Sequence, residues 1–129
     1  MIRTTLQAAA IGTALLFASV TGAAAHDEDK GPNGGQVADV AGHHIEFVPS
    51  PKELTFYLTD ESGKDTASAG TKAKAVVQDA GKTTPLELSA ESPNKLTAKL
   101  SDPLAPGAKV VVTAVMADGH NLQARYVVP

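Results

Sequence analysis

Four histidines are the residues of this 129-residue chain whose chemistry is easiest to interpret: His26, His43, His44 and His120. Neutral imidazole is the commonest metal ligand, and the chain has no cysteine that would supply a thiolate instead. A metal site would therefore use nitrogen and oxygen atoms, with Met116 as a softer ligand. The histidine spacing matches neither a zinc finger nor a His-Glu-x-x-His helix, so spacing alone does not define a site.

His26 is expected to be the first residue of the mature chain. Residues 1–25 have the pattern of a secretory signal peptide, with an apolar run from Ala8 to Val20 and small residues up to the cleavage site Ala23-x-Ala25. The alternative, a membrane-anchoring helix, needs about 20 apolar residues, and this run is shorter. We therefore expect a periplasmic or secreted protein that does not insert into the membrane after cleavage.

After cleavage, His26 would offer two nitrogens, its α-amine and its imidazole, and these can chelate one Cu(II) ion. Asp27 and Glu28 add carboxylate oxygens next to them. The reference pKa values are about 7.7–8.0 for the amine and about 6.5 for the imidazole, so the metal displaces few protons at neutral pH. The alternative is that His26 is simply the residue that the cut exposes.

The segments around His43 and His44 are typical of a β-hairpin. Gln36–Val40 and His43–Val48 are short alternating runs, joined by a two-residue Ala-Gly turn. Adjacent strand residues point to opposite faces, so the two histidines do not easily chelate one ion. The alternation places His43 at the rim of the core and His44 outside, beside Glu46.

His120 directly follows Asp118-Gly119, which is a second hairpin signal. Loops of a β-sandwich cluster at its two ends, so both hairpin tips can lie at the same end. In that case His43 or His44 approaches His120; otherwise all three are solvated polar residues at strand ends. For Met116, packing in the core is the simpler interpretation.

The mature chain reads as short strands separated by turn residues, without helical periodicity. This pattern predicts an all-β protein, a single immunoglobulin-like antiparallel β-sandwich of seven to eight strands over residues 36–129, after a flexible polar segment at 26–35. We expect the strand Lys109–Met116 to be central, because both of its faces are apolar. The other strands are predicted at Leu54–Thr59, Ala73–Gln78, Thr84–Leu88, Lys95–Leu100 and Asn121–Val128.

Composition argues against several function classes. Loss of Arg3 with the leader changes the formal net charge from −3 to −4, and there is no Lys/Arg cluster, which argues against binding to nucleic acid. Neither a Gly-x-Ser-x-Gly elbow nor a phosphate-binding loop is present, so no enzymatic activity is predicted. One catalytic alternative is a copper-dependent oxidase built on His26, but few aromatic residues are available as a substrate platform.

Residues 31–48 resemble a segment of known exported proteins. The pattern Gly31-Pro32-Asn33-Gly34-Gly35-Gln36-Val37, followed by His44-Ile45-Glu46-Phe47-Val48, is similar to small exported bacterial proteins and to the N-terminal segment of periplasmic adaptor subunits of heavy-metal efflux systems. Many adaptors carry histidine where this chain has Asn33. The resemblance implies a periplasmic location and a link to copper, zinc or nickel resistance. A looser likeness, to immunoglobulin-like exported copper carriers, rests on His26 and the fold class.

The leading hypothesis is a monomeric periplasmic β-sandwich that binds a transition metal as a carrier or buffer in metal homeostasis or efflux. Copper is the first expectation, with zinc or nickel as alternatives. The expected partners are the metal ion and an envelope efflux complex. The alternative is a non-metal interaction module that docks on an envelope partner through a sheet edge or its loops. The candidate ligands are His26, His44 and His120, with His43 and Met116 in reserve.

Overall fold

The computed structural model describes residues 30–129 of the chain. The predicted signal peptide, the candidate ligand His26 and the first part of the 26–35 segment lie outside the described residues. Within them, no helix is long and apolar enough to cross a membrane.

Eight β-strands form the regular structure of residues 30–129, and every strand pair is antiparallel. The all-β prediction is confirmed, and the ends of the strands differ from the predicted ends by at most three residues. The strands are β1 (Gln36–Val40), β2 (His43–Pro49), β3 (Glu53–Asp60), β4 (Lys72–Asp79), β5 (Lys82–Glu91), β6 (Lys95–Lys99), β7 (Lys109–Val115) and β8 (Asn121–Val127).

All eight strands belong to one nearly closed sheet with the order β1-β2-β3-β6-β5-β4-β7-β8. The long strand β5 makes this continuity possible, because residues 82–88 pair with β4 and residues 89–91 pair with β6. The end strands β1 and β8 lie side by side, and the Gln36 side chain donates a 2.7 Å hydrogen bond to the Val127 carbonyl. An immunoglobulin-like sandwich keeps its two sheets apart. Since β5 joins both halves here, that finer assignment stays a prediction.

The interior of the sheet is filled mainly by alternate residues of β2, β3, β4, β7 and β8. Its largest members are Phe47, Phe56 and Tyr126, whose ring centroids lie 5.1 to 5.9 Å apart. Burial raises the pKa of the Tyr126 hydroxyl, which donates a 2.7 Å hydrogen bond to the Ile45 carbonyl. This bond ties β8 to β2 across the interior.

Strand β7 has one buried face rather than two. Val110, Val112 and Ala114 are buried, whereas Thr113 is exposed and Val115 is 42% exposed. A nearly closed sheet has a single interior, so even its most apolar strand keeps a face toward solvent. The prediction that this strand is central was therefore wrong, and β7 lies next to the end strand β8.

Candidate metal centre

His43 is fixed at the start of β2 by the turn that precedes it. Ala41 and Gly42 have φ values of 49° and 80°, as a tight type I′ hairpin turn requires, and His43 pairs directly with Val40. The register sets the side on which each residue lies, so His43 shares the inward face of the fully buried Ile45. The side chain is half-buried at the rim of the core, as the alternation predicted.

His120 is fixed by the turn between β7 and β8. Met116 N–H donates a 2.8 Å hydrogen bond to the His120 carbonyl, and Gly119 N–H donates a 2.9 Å bond to the Met116 carbonyl. Asp118 Oδ1 accepts a 3.0 Å bond from the His120 backbone N–H. These contacts hold the Asp118 and His120 side chains on the same side of the turn.

The two hairpin tips bring two imidazoles and one carboxylate together. His43, Asp118 and His120 each offer one ligand atom, and these atoms lie within 4.8 Å of one another. The rings of His43 and His120 meet edge to face, with centroids 6.1 Å apart. Asp118 Oδ2 is 2.9 Å from His120 Nδ1. We refer to these three residues as the histidine cluster.

Electrostatics favour a charged carboxylate within the histidine cluster. The hydrogen bond from the His120 backbone N–H lowers the pKa of Asp118, and the neighbouring side chains of His120 and His43 lower it further. The side chains of His120 and Asp118 are 66% and 54% exposed, so an ion can reach them from solvent.

One nitrogen of the histidine cluster lacks a partner. His43 Nδ1 is buried and makes no hydrogen bond with any described residue. Leaving a buried polar atom unpaired costs about 1–3 kcal/mol, so such atoms are uncommon and call for an explanation. The donor types of the three side chains, imidazole nitrogen and carboxylate oxygen, are ones that a transition metal accepts.

The other predicted ligands lie apart from this cluster. His44 is on the opposite face of β2, where its Nε2 is 3.9 Å from Asp39 Oδ2. Met116 is buried, and its sulfur accepts a long 3.9 Å contact from the Thr71 hydroxyl, which agrees with core packing. Of the three histidines within residues 30–129, the structure therefore brings together His43 and His120.

Asp118 was missed as a candidate ligand because Asp118-Gly119 was interpreted only as a turn signal. The signal that could have found it is the spacing Asp-x-His at a hairpin tip. An aspartate in such a turn accepts a hydrogen bond from the backbone two residues later. That bond places its carboxylate beside the histidine side chain.

Glu46, expected on the outer face beside His44, is only 3% exposed. The turn formed by residues 31–35 folds over it and supplies three donors: Asn33 N–H at 3.0 Å, Asn33 Nδ2 at 3.0 Å and Gly35 N–H at 2.8 Å. Glu46 lies on the outer face, but its burial was not predicted, because strand alternation takes no account of a loop that covers that face. We refer to Glu46 and residues 31–35 as the glutamate lock.

Packing explains two glycines of the lock. A Cβ atom on Gly31 would overlap the Glu46 carboxylate, and one on Gly35 would overlap the Phe47 carbonyl oxygen. Asn33, where many efflux adaptors have histidine, donates to Glu46 through both its backbone and its side chain. The glycine-rich motif therefore has a structural role in this chain.

A cavity of about 410 Å³ lies away from both clusters, between β4, β5 and the segment after β6. Its apolar lining includes Val77, Leu86, Leu100 and Leu104, with charged groups at the rim. None of the described histidines lines it. The cavity therefore contributes nothing to a metal site.

Comparisons with known proteins do not add to this description: no family model, no curated protein and no solved structure matches the chain.

Proposed function

We propose that this protein binds one transition-metal ion through His43, Asp118 and His120 and serves as a periplasmic metal carrier or buffer without catalysis. The observation that carries the proposal is the convergence of two imidazoles and a carboxylate of lowered pKa from separate hairpins, with one buried imidazole nitrogen that pairs with no described residue. These are the donor atoms that such an ion requires.

The donor set indicates which metals to expect. Two nitrogens and one oxygen suit Cu(II), Zn(II) and Ni(II), whereas Cu(I) prefers sulfur ligands. Met116, the nearest sulfur in the sequence, is buried against Thr71. Copper is the first candidate because Cu(II) has the highest affinity for most nitrogen and oxygen sites, with zinc or nickel second.

The exposure of the site agrees with a protein that takes up the metal ion and releases it to a partner. Three protein ligands leave at least one coordination position open. Two of the ligands, Asp118 and His120, stand on an exposed turn, where a second protein can approach the ion. The resemblance of residues 31–48 to efflux adaptor subunits and the predicted signal peptide agree with a role in the envelope.

Calorimetric titration of the untagged chain with Cu(II) and Zn(II) tests the proposal. We expect one ion per chain with a Kd below about 1 µM, equivalent to about −8 kcal/mol. His43→Gln and His120→Gln should abolish this binding. His44→Gln is the matched control, because it removes the adjacent imidazole on the opposite face, and it should leave binding intact.

His26 needs its own variant because it is a separate candidate ligand outside the described residues. His26→Gln should leave the site formed by the histidine cluster intact. Binding that is lost in His26→Gln and retained in His43→Gln would move the site to the N-terminus. The absence of binding tighter than micromolar would refute the metal proposal and favour the interaction module.

A further inference from the structure

We infer that an ion in the histidine cluster acts as a clasp that holds the two end strands of the sheet, β1 and β8, together. The inference rests on the proposed function, because it needs an ion at this site. It adds a role for the ion in the fold: occupancy of the site would control how tightly the sheet is closed.

The end strands form the weakest boundary of the sheet. No backbone hydrogen-bond ladder joins β1 to β8 within residues 30–129, although every other pair of neighbours in the strand order is laddered. We refer to this boundary as the seam. An unladdered boundary opens at a lower free energy than a laddered one, because fewer interactions must break.

One end of the seam is already linked. The Gln36 side chain, at the start of β1, donates to the carbonyl of Val127, at the end of β8. Behind the seam, the Tyr126 hydroxyl donates to Ile45 of β2. Both bonds hold the last residues of β8 against the β1–β2 hairpin.

The histidine cluster lies at the other end of the seam. His43 pairs with Val40, the last residue of β1, and His120 immediately precedes Asn121, the first residue of β8. The two rings meet edge to face with centroids 6.1 Å apart, and His43 Nδ1 makes no hydrogen bond with any described residue. This end therefore has the ligands for a link, but within residues 30–129 no hydrogen bond links the two histidines.

An ion would supply that link. Zinc bonds to nitrogen and oxygen are about 2.0–2.2 Å long, so tetrahedral ligand atoms lie about 3.3 Å apart. The three ligand atoms here are within 4.8 Å of one another, so a small movement of the tips completes the site. Since His43 belongs to one hairpin and His120 and Asp118 to the other, the bonds to the ion would cross the seam.

Amide hydrogen exchange of the full chain, with and without Zn(II), tests the clasp. Zinc is the probe because it has no redox chemistry. At a free concentration of about ten times its Kd, zinc should slow exchange in β1 and β8 by about tenfold, since a ligand that requires the closed state lowers the open population by 1 + [L]/Kd. Exchange in β3 and β6, on the other side of the sheet, should change less.

Matched variants distinguish an ion that holds β1 and β8 together from an ion that binds without affecting these strands. His44→Gln should keep the zinc-dependent protection of β1 and β8, whereas His43→Gln should lose it. One zinc per chain with protection confined to the turns at residues 41–44 and 117–121 would overturn the clasp and leave the proposed function standing. No zinc binding by the cluster would overturn both.

Discussion

Two polar clusters each include a residue of β2, the second strand of the first hairpin, and they differ in whether their hydrogen bonds are complete. Glu46, in the glutamate lock, is buried and accepts three hydrogen bonds from Asn33 and Gly35. The histidine cluster is partly exposed, and its His43 Nδ1 has no hydrogen-bond partner within residues 30–129.

This difference in hydrogen bonding indicates that the glutamate lock is a structural site and that the histidine cluster is a candidate binding site. A buried polar network that satisfies its own groups stabilises a unique conformation and has no capacity left for a ligand. A cluster with unused donor atoms and a route from solvent gains from binding a ligand. We therefore expect substitutions in the glutamate lock to lower stability, and substitutions in the histidine cluster to change metal affinity.

The largest expected effect is at Gly35. Gly35→Ala should lower the free energy of unfolding by about 3 kcal/mol, because the new methyl overlaps the fixed carbonyl of Phe47. Urea denaturation measures this change. Gly34→Ala is the control for backbone conformation, since the space around Gly34 is open and only its φ of 78° resists alanine, at a cost of about 1–2 kcal/mol. Equal losses in the two variants would argue against the close packing of the lock.

Glu46→Gln tests the charge in the lock. It should cost about 2 kcal/mol, because a carboxylate that accepts three bonds is replaced by an amide whose NH₂ faces donors. Glu87→Gln, on the exposed face of β5, is the matched control and should stay within about 0.5 kcal/mol. If Glu46→Gln behaves like Glu87→Gln, the buried network does not stabilise the fold.

Tyr126→Phe tests a second buried polar contact, the hydrogen bond from the Tyr126 hydroxyl to the Ile45 carbonyl. It should cost about 1 kcal/mol at neutral pH, because the buried Ile45 carbonyl loses its donor. Burial raises the pKa of Tyr126 above the ordinary value of about 10, so the neutral hydroxyl stabilises the fold below pH 10.

The same residue predicts a pH dependence. The stabilisation is lost as pH rises from about 10 through the raised pKa, because the unfolded chain releases the phenolic proton first. Thermal unfolding between pH 9 and pH 11 should therefore show a steeper loss of stability in the wild type than in Tyr126→Phe. Parallel slopes would contradict the assigned pKa direction.

The smallest expected change in stability is for His43→Gln in the metal-free protein. His43→Gln should lower stability by no more than about 0.5 kcal/mol, because the imidazole is half-buried and its Nδ1 makes no hydrogen bond with a described residue that could be lost. Urea denaturation in a chelating buffer measures it. A loss similar to that of Glu46→Gln would mean that His43 belongs to a structural network.

Local sequence patterns were sufficient to predict the strands and turns. Short runs of alternating or apolar residues bounded by turn residues predicted all eight strands, and Ala41-Gly42 and Asp118-Gly119 marked two hairpins that the structure contains. The near closure of the sheet was not predictable in this way, because it depends on β5 changing partners at residue 89. Strand alternation carries no information on such a change.

The candidate site was only partly predictable for the same reason. Strand alternation placed His43 on the core side of β2 and His44 on the outer side. Deciding which of the two is a ligand required knowing which side of β2 lies near His120. His44 ranked higher in the sequence-based hypothesis, whereas His43 is the histidine that meets His120. That contact joins residues far apart in sequence, and the closure of the sheet decides it.

The most direct test of the central claim compares the zinc affinities of His43→Gln and His44→Gln in one competition titration against a chelator. The two variants remove neighbouring imidazoles from the same strand, so differences in charge and composition cancel. We expect His43→Gln to weaken zinc binding by at least about 100-fold, equivalent to about 2.8 kcal/mol, and His44→Gln to change it by less than about twofold. Equal affinities in the two variants would contradict the assignment of the metal site to the histidine cluster.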